Sequence, residues 1–433
     1  MKNFAKKILV SILMNEARLI VQKYEPKVIM VTGSVGKTTT KDAVYQALKG
    51  SFYVRKSEKS ENSEIGIPLT IIGAKNEWGN PIGWLKIIIK GLLQYIFSVN
   101  YPNILVLEVG ADRPGDLDYV CNYIEPFATV VTRFPDVPPH LEFYESIEDL
   151  YKEESIPALK VKRGGTLILN DDDERVLKLK NETLANVVTY GLTPRADFHG
   201  KGDRIIYSDD TKGATPQGFI FPIEHSQADY EIEIKNAVGI THIYPVLAGI
   251  ALAYELKVPI KKAIESFDNY NPAPGRMKII EGIKGSTIID DTYNASPEAT
   301  KEALLTLSRV TAQGKKIAVL ADMKEIGKYS IDEHRGVGAM IPNIAKKLVV
   351  IGSLGREISE GAMSAGMDEE DIYQFESSRE AGKFLEKIIN KGDLILVKGS
   401  QSMRMERVTE EVMLHPEWKK SLLVRQDDEW AKR

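Results

Sequence analysis

The sequence predicts an α/β protein with two sheets. A larger domain has a mostly parallel sheet with a β-rich edge, and a smaller, Rossmann-like α/β domain follows it. Three observations support this. Short apolar, β-branched runs alternate with helix-period segments from residue 28 onward, the pattern of a parallel sheet covered on both faces. Between residues 197 and 237 the period drops to two, with alternating runs such as GFIF (218–221) and YEIEI (230–234), which read as antiparallel strands. The stretch NPAPG (271–275) then interrupts, and the alternating pattern restarts beyond it; its prolines and glycine continue neither a helix nor a central strand. The expected division is an N-terminal amphipathic helix at 1–26, a first domain at 27–273 and a second at 274–433.

At 433 residues the chain is too long for one ordinary core. Its 43% hydrophobic and 27% charged content is that of a soluble globular protein. The net charge of −4 gives no global case for nucleic acid or an anionic membrane. The one cysteine, Cys121, has no partner within the chain, which fits a reducing cytoplasm as the expected location.

In order, Phe4, Ile8 and Ile12 recur four apart, so the N-terminus reads as an amphipathic helix, too short in its apolar part to span a bilayer. Residues 28–31 read as a strand and 39–48 as a helix stopped by Gly50. A strand follows at 52–55, a polar stretch at 57–64 and a new element at 65–70. Residues 82–99 are apolar but hold Lys86, Lys90 and Gln94. That polar stripe predicts a helix with its apolar face buried; a weak peripheral membrane contact is the other reading. No transmembrane span is expected. Further strands are expected at 104–107, 129–132 and 166–170, and a core helix is built on Ile243, Val246, Leu247, Ile250, Ala251 and Tyr254. Beyond 275, strands are expected at 286–289, 316–320, 347–351 and 394–397. The polar tail at 427–433 is expected to fray.

The chemistry concentrates at residues 32–39. A strand runs into Thr32, Gly33, Ser34, Val35, Gly36, Lys37, Thr38 and Thr39, and a helix leaves. This is the build of a phosphate-binding loop. Gly33 and Gly36 let backbone N–H groups approach phosphate oxygens at a helix N-terminus. Lys37 would neutralise the terminal phosphates and the Thr38 hydroxyl would ligate Mg²⁺. The match is partial: Val31 stands where the general pattern has its first glycine. Glu108 closes an apolar strand, where a second Mg²⁺ ligand is expected in a chain with such a loop.

Several segments together resemble the Mur ligases: TGSVGKTTTK (32–41), LEVGADRPGD (107–116), PPHLEF (138–143), LNDDD (169–173), PAPGRM (272–277), DDTYNASP (290–297), LADMKEIG (320–327) with His334 downstream, and KGSQSMRMERV (398–408). ENSEIGIPLT (61–70), DDTYNASP and the last segment resemble the MurF-type branch, which adds D-alanyl-D-alanine to a UDP-linked muramoyl-tripeptide in peptidoglycan precursor synthesis. The resemblance implies a P-loop ATPase domain followed by a C-terminal ligase domain. It implies ATP and Mg²⁺ as cofactors, small-molecule carboxylate and amine (dipeptide) partners and no nucleic acid. In the implied reaction ATP converts a carboxylate into an acyl phosphate, which an amine displaces.

Carried onto this sequence, the resemblance gives Gly33, Ser34, Gly36, Lys37, Thr38 and Thr39 to the phosphates, Thr38 and Glu108 to Mg²⁺, and His140 to a second Mg²⁺. Lys152 falls where the family carries a carbamylated lysine that binds metal. His140, Lys152 and Lys37 are the implied catalytic residues. Arg276 would reach the phosphates from the second domain, Asp291 the ribose, and Asn294 lies close behind. There are departures. The text at Lys152 is Lys-Glu-Glu where the family usually has Lys-Gly-Glu. Thr241-His242 replaces a His-Asn pair. Only 26 residues precede the loop strand, too few for the UDP-binding domain usual in this branch. The same chemistry on another acid and amine, as in cofactor amidation or polyglutamate extension, is the nearest alternative. A P-loop kinase and a non-catalytic nucleotide-binding scaffold are the others.

Overall fold

The structure, a computed structural model, describes residues 2–57, 64–138, 141–208, 215–427 and 430, with side chains from Lys6 onward. Two sheets organise it, in the α/β architecture that the sequence predicts. The first contains β1 (Lys27–Thr32), β2 (Val54–Lys56), β3 (Ile104–Glu108), β4 (Ala128–Val131), β5 (Thr166–Asn170), β6 (Asn186–Gly191), β7 (Phe198–Gly200), β8 (Arg204–Tyr207), β9 (Pro216–His225) and β10 (Ala228–Lys235). Its order is β10-β9-β7-β6-β5-β4-β1-β3-β2, with β8 also paired to β9. From β2 across to β7 every pairing is parallel; β7 to β10 form the antiparallel edge. The central strands read as unbroken apolar runs because both faces are covered.

The strands β3 and β4 lie on opposite sides of β1, so the winding reverses there. Such a reversal opens a crevice at the carboxyl ends of the strands. On one face α2 (Lys37–Leu48) packs with the helix Ile243–Glu255 around Val44, Ala47, Leu48, Val246 and Ile250. On the other face lie α1 (Lys2–Tyr24), α3 (Gly66–Ile72), α4 (Pro81–Ile96) and α5 (Asp116–Tyr123). Leu13, Met14, Ala17 and Ile20 of α1 are fully buried, in one cluster with Met30 and Leu107. A fully buried large aliphatic side chain contributes roughly 1.5–3 kcal/mol, so α1 is a packed element of this layer.

The second sheet contains β11 (Lys278–Glu281), β12 (Thr287–Asp291), β13 (Lys316–Ala321), β14 (Lys347–Ile351), β15 (Ile372–Phe375) and β16 (Leu394–Lys398), in the order β11-β12-β16-β13-β14-β15. All pairs are parallel except β11 with β12. Separate clusters cover its two faces, one around Leu304, Leu320 and Leu348 and the other around Ile317, Val349 and Ile395.

Two expectations are corrected. The four-apart spacing at Ile8 and Ile12 does not mark the inward face of α1: both stand exposed, and the helix packs through Leu13, Met14, Ala17 and Ile20. The helix α4 does not bury its apolar face: Gly83, Ile87 and Gly91 are its buried residues, while Leu85, Ile89, Leu93 and Ile96 stand exposed. The lysines at 86 and 90 mark only part of a much wider solvent-facing arc. Among the described residues no helix is long and apolar enough to cross a membrane.

Candidate active site

The loop between β1 and α2 is built by register and by two left-handed glycines. Val31 pairs with Glu108 across β1 and β3, which delivers the Glu108 carboxylate beside the loop. Gly33 has φ 117° and Gly36 φ 85°, conformations that cost a side chain-bearing residue energy. A Cβ on Gly33 would also fall 2.2 Å from Thr132 Oγ1, so that position has no room for one. The Ser34 N–H donates to the Arg133 carbonyl at 2.9 Å, tying the loop to the end of β4.

Four charged side chains, Lys37, Lys41, Glu108 and Glu154, gather at this turn. Thr38 Oγ1 donates to Glu108 Oε1 at 2.9 Å. Lys41 Nζ lies 3.6 Å from Glu108 Oε2, with both side chains buried; the sequence reading quoted Lys41 but gave it no task. Lys37 Nζ donates to the Gly33 carbonyl at 2.6 Å and lies 4.0 Å from Glu154 Oε1.

Glu154 is the residue that sequence reasoning missed. It sits on α6 (Ile147–Leu159) and is buried. Its Oε2 accepts from Ser34 Oγ at 2.5 Å, and its carbonyl accepts from Thr32 Oγ1 at 2.8 Å. Lys152, two residues earlier, is not brought to the loop: its side chain is 78% exposed and pairs with Asp149 at 3.3 Å. Glu153 turns to another task, accepting from the Leu117 N–H at the start of α5 at 2.8 Å. The signal was present in the sequence. Leu150, Glu154 and Ala158 lie four apart on the buried face of α6, so the acid interrupts an apolar stripe that Lys152 does not share. His140 lies outside the described residues, as do residues 61–63 of the ENSEIGIPLT segment.

The second domain contributes a separate cluster. Asp291 registers with Lys398 across β12 and β16. Its Oδ2 accepts from Lys398 Nζ at 2.5 Å and its Oδ1 from the Met277 N–H at 3.2 Å. Lys398 Nζ also donates to the Asn294 carbonyl at 3.0 Å, and Asn294 Oδ1 accepts from the Gln401 N–H at 3.3 Å. The Arg276 guanidinium stacks on the Tyr293 ring, 3.9 Å from its centroid, and its Nε has no hydrogen-bond partner among the described residues. Next to this cluster, burial pushes the Asp290 carboxyl up to about 7. In LADMKEIG, Asp322 and His334 are structural: Asp322 Oδ1 accepts from the Leu354 and Gly355 N–H groups, and His334 Nε2 accepts from the Met323 N–H.

Two links join the clusters. Arg133, whose carbonyl holds the loop, reaches Glu298 at 2.8 Å and Glu302 at 3.8 Å on the helix Pro297–Arg309. His242 lies buried at the start of the helix Ile243–Glu255, and its Nε2–H donates to the Arg276 carbonyl at 2.9 Å. Burial lowers its pKa to about 4, so the ring is neutral and serves as a fastener.

The oxygens of Thr38 and Glu108, in contact at 2.9 Å, fit a hard cation such as Mg²⁺, which is typically held by one or two carboxylates plus substrate phosphates rather than by a dedicated protein cage, and Glu154 contacts the same loop at Ser34.

Comparison with known proteins accords with this arrangement. Residues 31–253 match the Mur ligase middle domain, and residues 275–401 match the Mur ligase glutamate ligase domain. The chain is 26% identical over 407 residues to the UDP-N-acetylmuramoyl-tripeptide–D-alanyl-D-alanine ligase of Bacillus subtilis, covering 92% of this chain and 79% of that one. A crystal structure of the MurF ligase of Thermotoga maritima in complex with ADP superposes with a TM-score of 0.74 at 26% identity, covering 93% of this chain and 83% of that one. A folylpolyglutamate synthase of Mycobacterium tuberculosis shares the fold at a TM-score of 0.64 and 13% identity, covering 93% and 94%. With both domain models matched in chain order, the first over half of its length, the chain belongs to the Mur ligase family.

Proposed function

We propose that the chain is an ATP-dependent, ADP-forming amide ligase that joins D-alanyl-D-alanine to UDP-N-acetylmuramoyl-tripeptide in peptidoglycan precursor synthesis. The observation that carries this is the Thr38–Glu108 contact beside the Gly33–Lys37 loop, supported by His242, which fastens the Arg276 backbone, and by Arg133, which reaches Glu298 of the second domain. The relatives named above support the choice of acid and amine.

In the proposed reaction a carboxylate oxygen of the tripeptide attacks the γ-phosphorus of ATP. The β–γ bridging bond breaks and ADP leaves. The amine of the dipeptide then attacks the acyl carbon, its proton is lost, and phosphate departs with the oxygen it received from the acid. The protein's task is alignment and charge neutralisation. Lys37, the Ser34 hydroxyl and the N–H groups of Gly33, Gly36 and Lys37 to Thr39 would hold the phosphates, the Ser34 N–H being engaged by the Arg133 carbonyl. Arg276 approaches the phosphates from the other domain, and Asp291 with Asn294 receives the ribose. Thr38 and Glu108 would hold Mg²⁺, which supplies further neutralisation of phosphate charge when bound.

Within this reading Glu154, at the position where the family's Lys-Gly-Glu also has Glu, supplies a fixed negative charge beside the loop, while Lys152 pairs with Asp149 at the surface. A carboxylate is negative without modification, so no carbon dioxide is required. The test is a mass-spectrometric search for ADP-coupled products with UDP-muramoyl-tripeptide and D-alanyl-D-alanine among the candidates. The expected result is one amide and one ADP per turnover, only when both substrates are present. Sustained ADP release over many turnovers without the amine, with a phosphorylated acid as the product, would point to a kinase and overturn the reading.

A further inference from the structure

The helix α4 is packed the wrong way round for a helix whose outer face meets only water. A surface helix normally buries its large apolar residues and exposes its polar ones. Here the inward positions include Gly83 and Gly91, while Ile82, Leu85, Ile89, Leu93, Ile96 and Phe97 are exposed, Ile82 by 67% and Ile96 by 64%. The helix is firmly held in this orientation. Lys23 Nζ donates to the carbonyls of Tyr95 at 2.7 Å and Phe97 at 2.8 Å, and Tyr24 Oη donates to that of Gln94 at 2.8 Å. Its neighbour α1 adds Ile8 and Ile12, also exposed.

Charge indicates what covers this face. Residues 1–15 hold Lys2, Lys6 and Lys7, residues 78–100 hold Lys86 and Lys90, and neither stretch contains an acid. The rest of the chain carries 52 Lys and Arg against 61 Asp and Glu. Of the nearby acids, Glu64 pairs with Lys6 at 3.0 Å and Glu77 accepts from Asn80 at 2.9 Å, while Glu16 is buried beneath the helix against Gly91. Thus, on a protein that is acidic overall, Lys7 and Lys86 flank an exposed apolar arc, while Lys6 is paired with Glu64 and Lys90 donates to the Gly73 carbonyl. Exposed Trp78 and Tyr95 add the aromatic residues favoured at a membrane–water boundary. As a 16-residue helix, α4 is about 24 Å long and would lie in the interface plane rather than cross it.

We propose that α4, with the first half of α1, docks the protein peripherally on an anionic phospholipid surface. The inference is independent of the ligase reading, because it uses none of the residues of the cleft.

The experiment is sedimentation of the full chain with phosphatidylglycerol vesicles and with phosphatidylcholine vesicles, at low and high salt. A Leu85→Ser/Ile89→Ser/Leu93→Ser variant runs alongside, with circular dichroism to verify its fold. The expected result is binding to the anionic vesicles that is weakened by salt and roughly tenfold or more weaker in the variant, with ADP release in solution unchanged. A Lys86→Glu/Lys90→Glu variant that keeps the apolar arc should also bind more weakly. Equal binding by wild type and the serine variant would overturn the proposal. So would absence of vesicle binding, including the case of a wild-type dimer that the serine substitutions dissociate, which would assign the face to a second copy of the chain.

Discussion

Ser34 Oγ donates to Glu154 Oε2 at 2.5 Å, joining the phosphate-loop turn to a buried acid on α6. The contact shows which residue of the Lys152-Glu153-Glu154 triplet faces the cleft. Lys152→Ala should leave kcat within about threefold of wild type, as expected for an exposed i,i+3 surface pair. Glu154→Ala should lower kcat by roughly 10²–10³, the range for losing one preorganised electrostatic group. Turnover in buffers stripped of carbon dioxide should match that in bicarbonate. A bicarbonate requirement abolished by Lys152→Ala would restore the lysine to the metal.

Lys37→Ala should abolish turnover, by about 10³ or more, while circular dichroism and thermal midpoint stay near wild type. The Lys37 ammonium bonds mainly to its own loop, so its removal costs little of the fold. Wild-type-like rates in this variant would remove the loop from the chemistry.

The two domains should close on nucleotide about residues 271–275. Gly275 has φ 68°, and a Cβ there would lie 2.8 Å from the Tyr293 N–H nitrogen, so Gly275→Ala should destabilise the chain by about 1–3 kcal/mol. Scattering profiles recorded with and without nucleotide and substrates should differ. Superimposable profiles would rule closure out.

Stability should fall as pH rises through 7. Burial raises the folded-state pKa of Asp290 to about 7 from 3.8, and that of Glu16 to about 7 from 4.5. Each acid therefore binds its proton more tightly when folded. The associated stability is complete below the unfolded pKa and is lost as pH passes the folded one. For Asp290 the loss is at most roughly 4 kcal/mol. Chemical denaturation of Asp290→Asn should show a flatter pH profile between 5 and 8 than wild type, and an unchanged slope would contradict the assignment.

The strands and the phosphate loop were legible because they obey local rules. Residues 28–31 are an apolar run ending in glycine-bearing text, and they fall inside β1. What was not legible depended on three-dimensional neighbours. The motif drew attention to Lys152, whereas the helical phase of Leu150 and Ala158 pointed to Glu154. For α4 the lysine stripe suggested that everything else was buried, but Gly83 and Gly91 fix the inward side. His242 stands where the family has a His-Asn pair, and only its partner 34 residues away shows it to be a fastener to Arg276.

The central claim is that a triphosphate held at the glycine turn converts an inert carboxylate into an acyl phosphate. The direct measurement uses UDP-muramoyl-tripeptide labelled with oxygen-18 in the reacting carboxylate, with ATP and D-alanyl-D-alanine. Mass spectrometry of the released phosphate should find one labelled oxygen per amide formed. Amide formation with unlabelled phosphate would contradict the account.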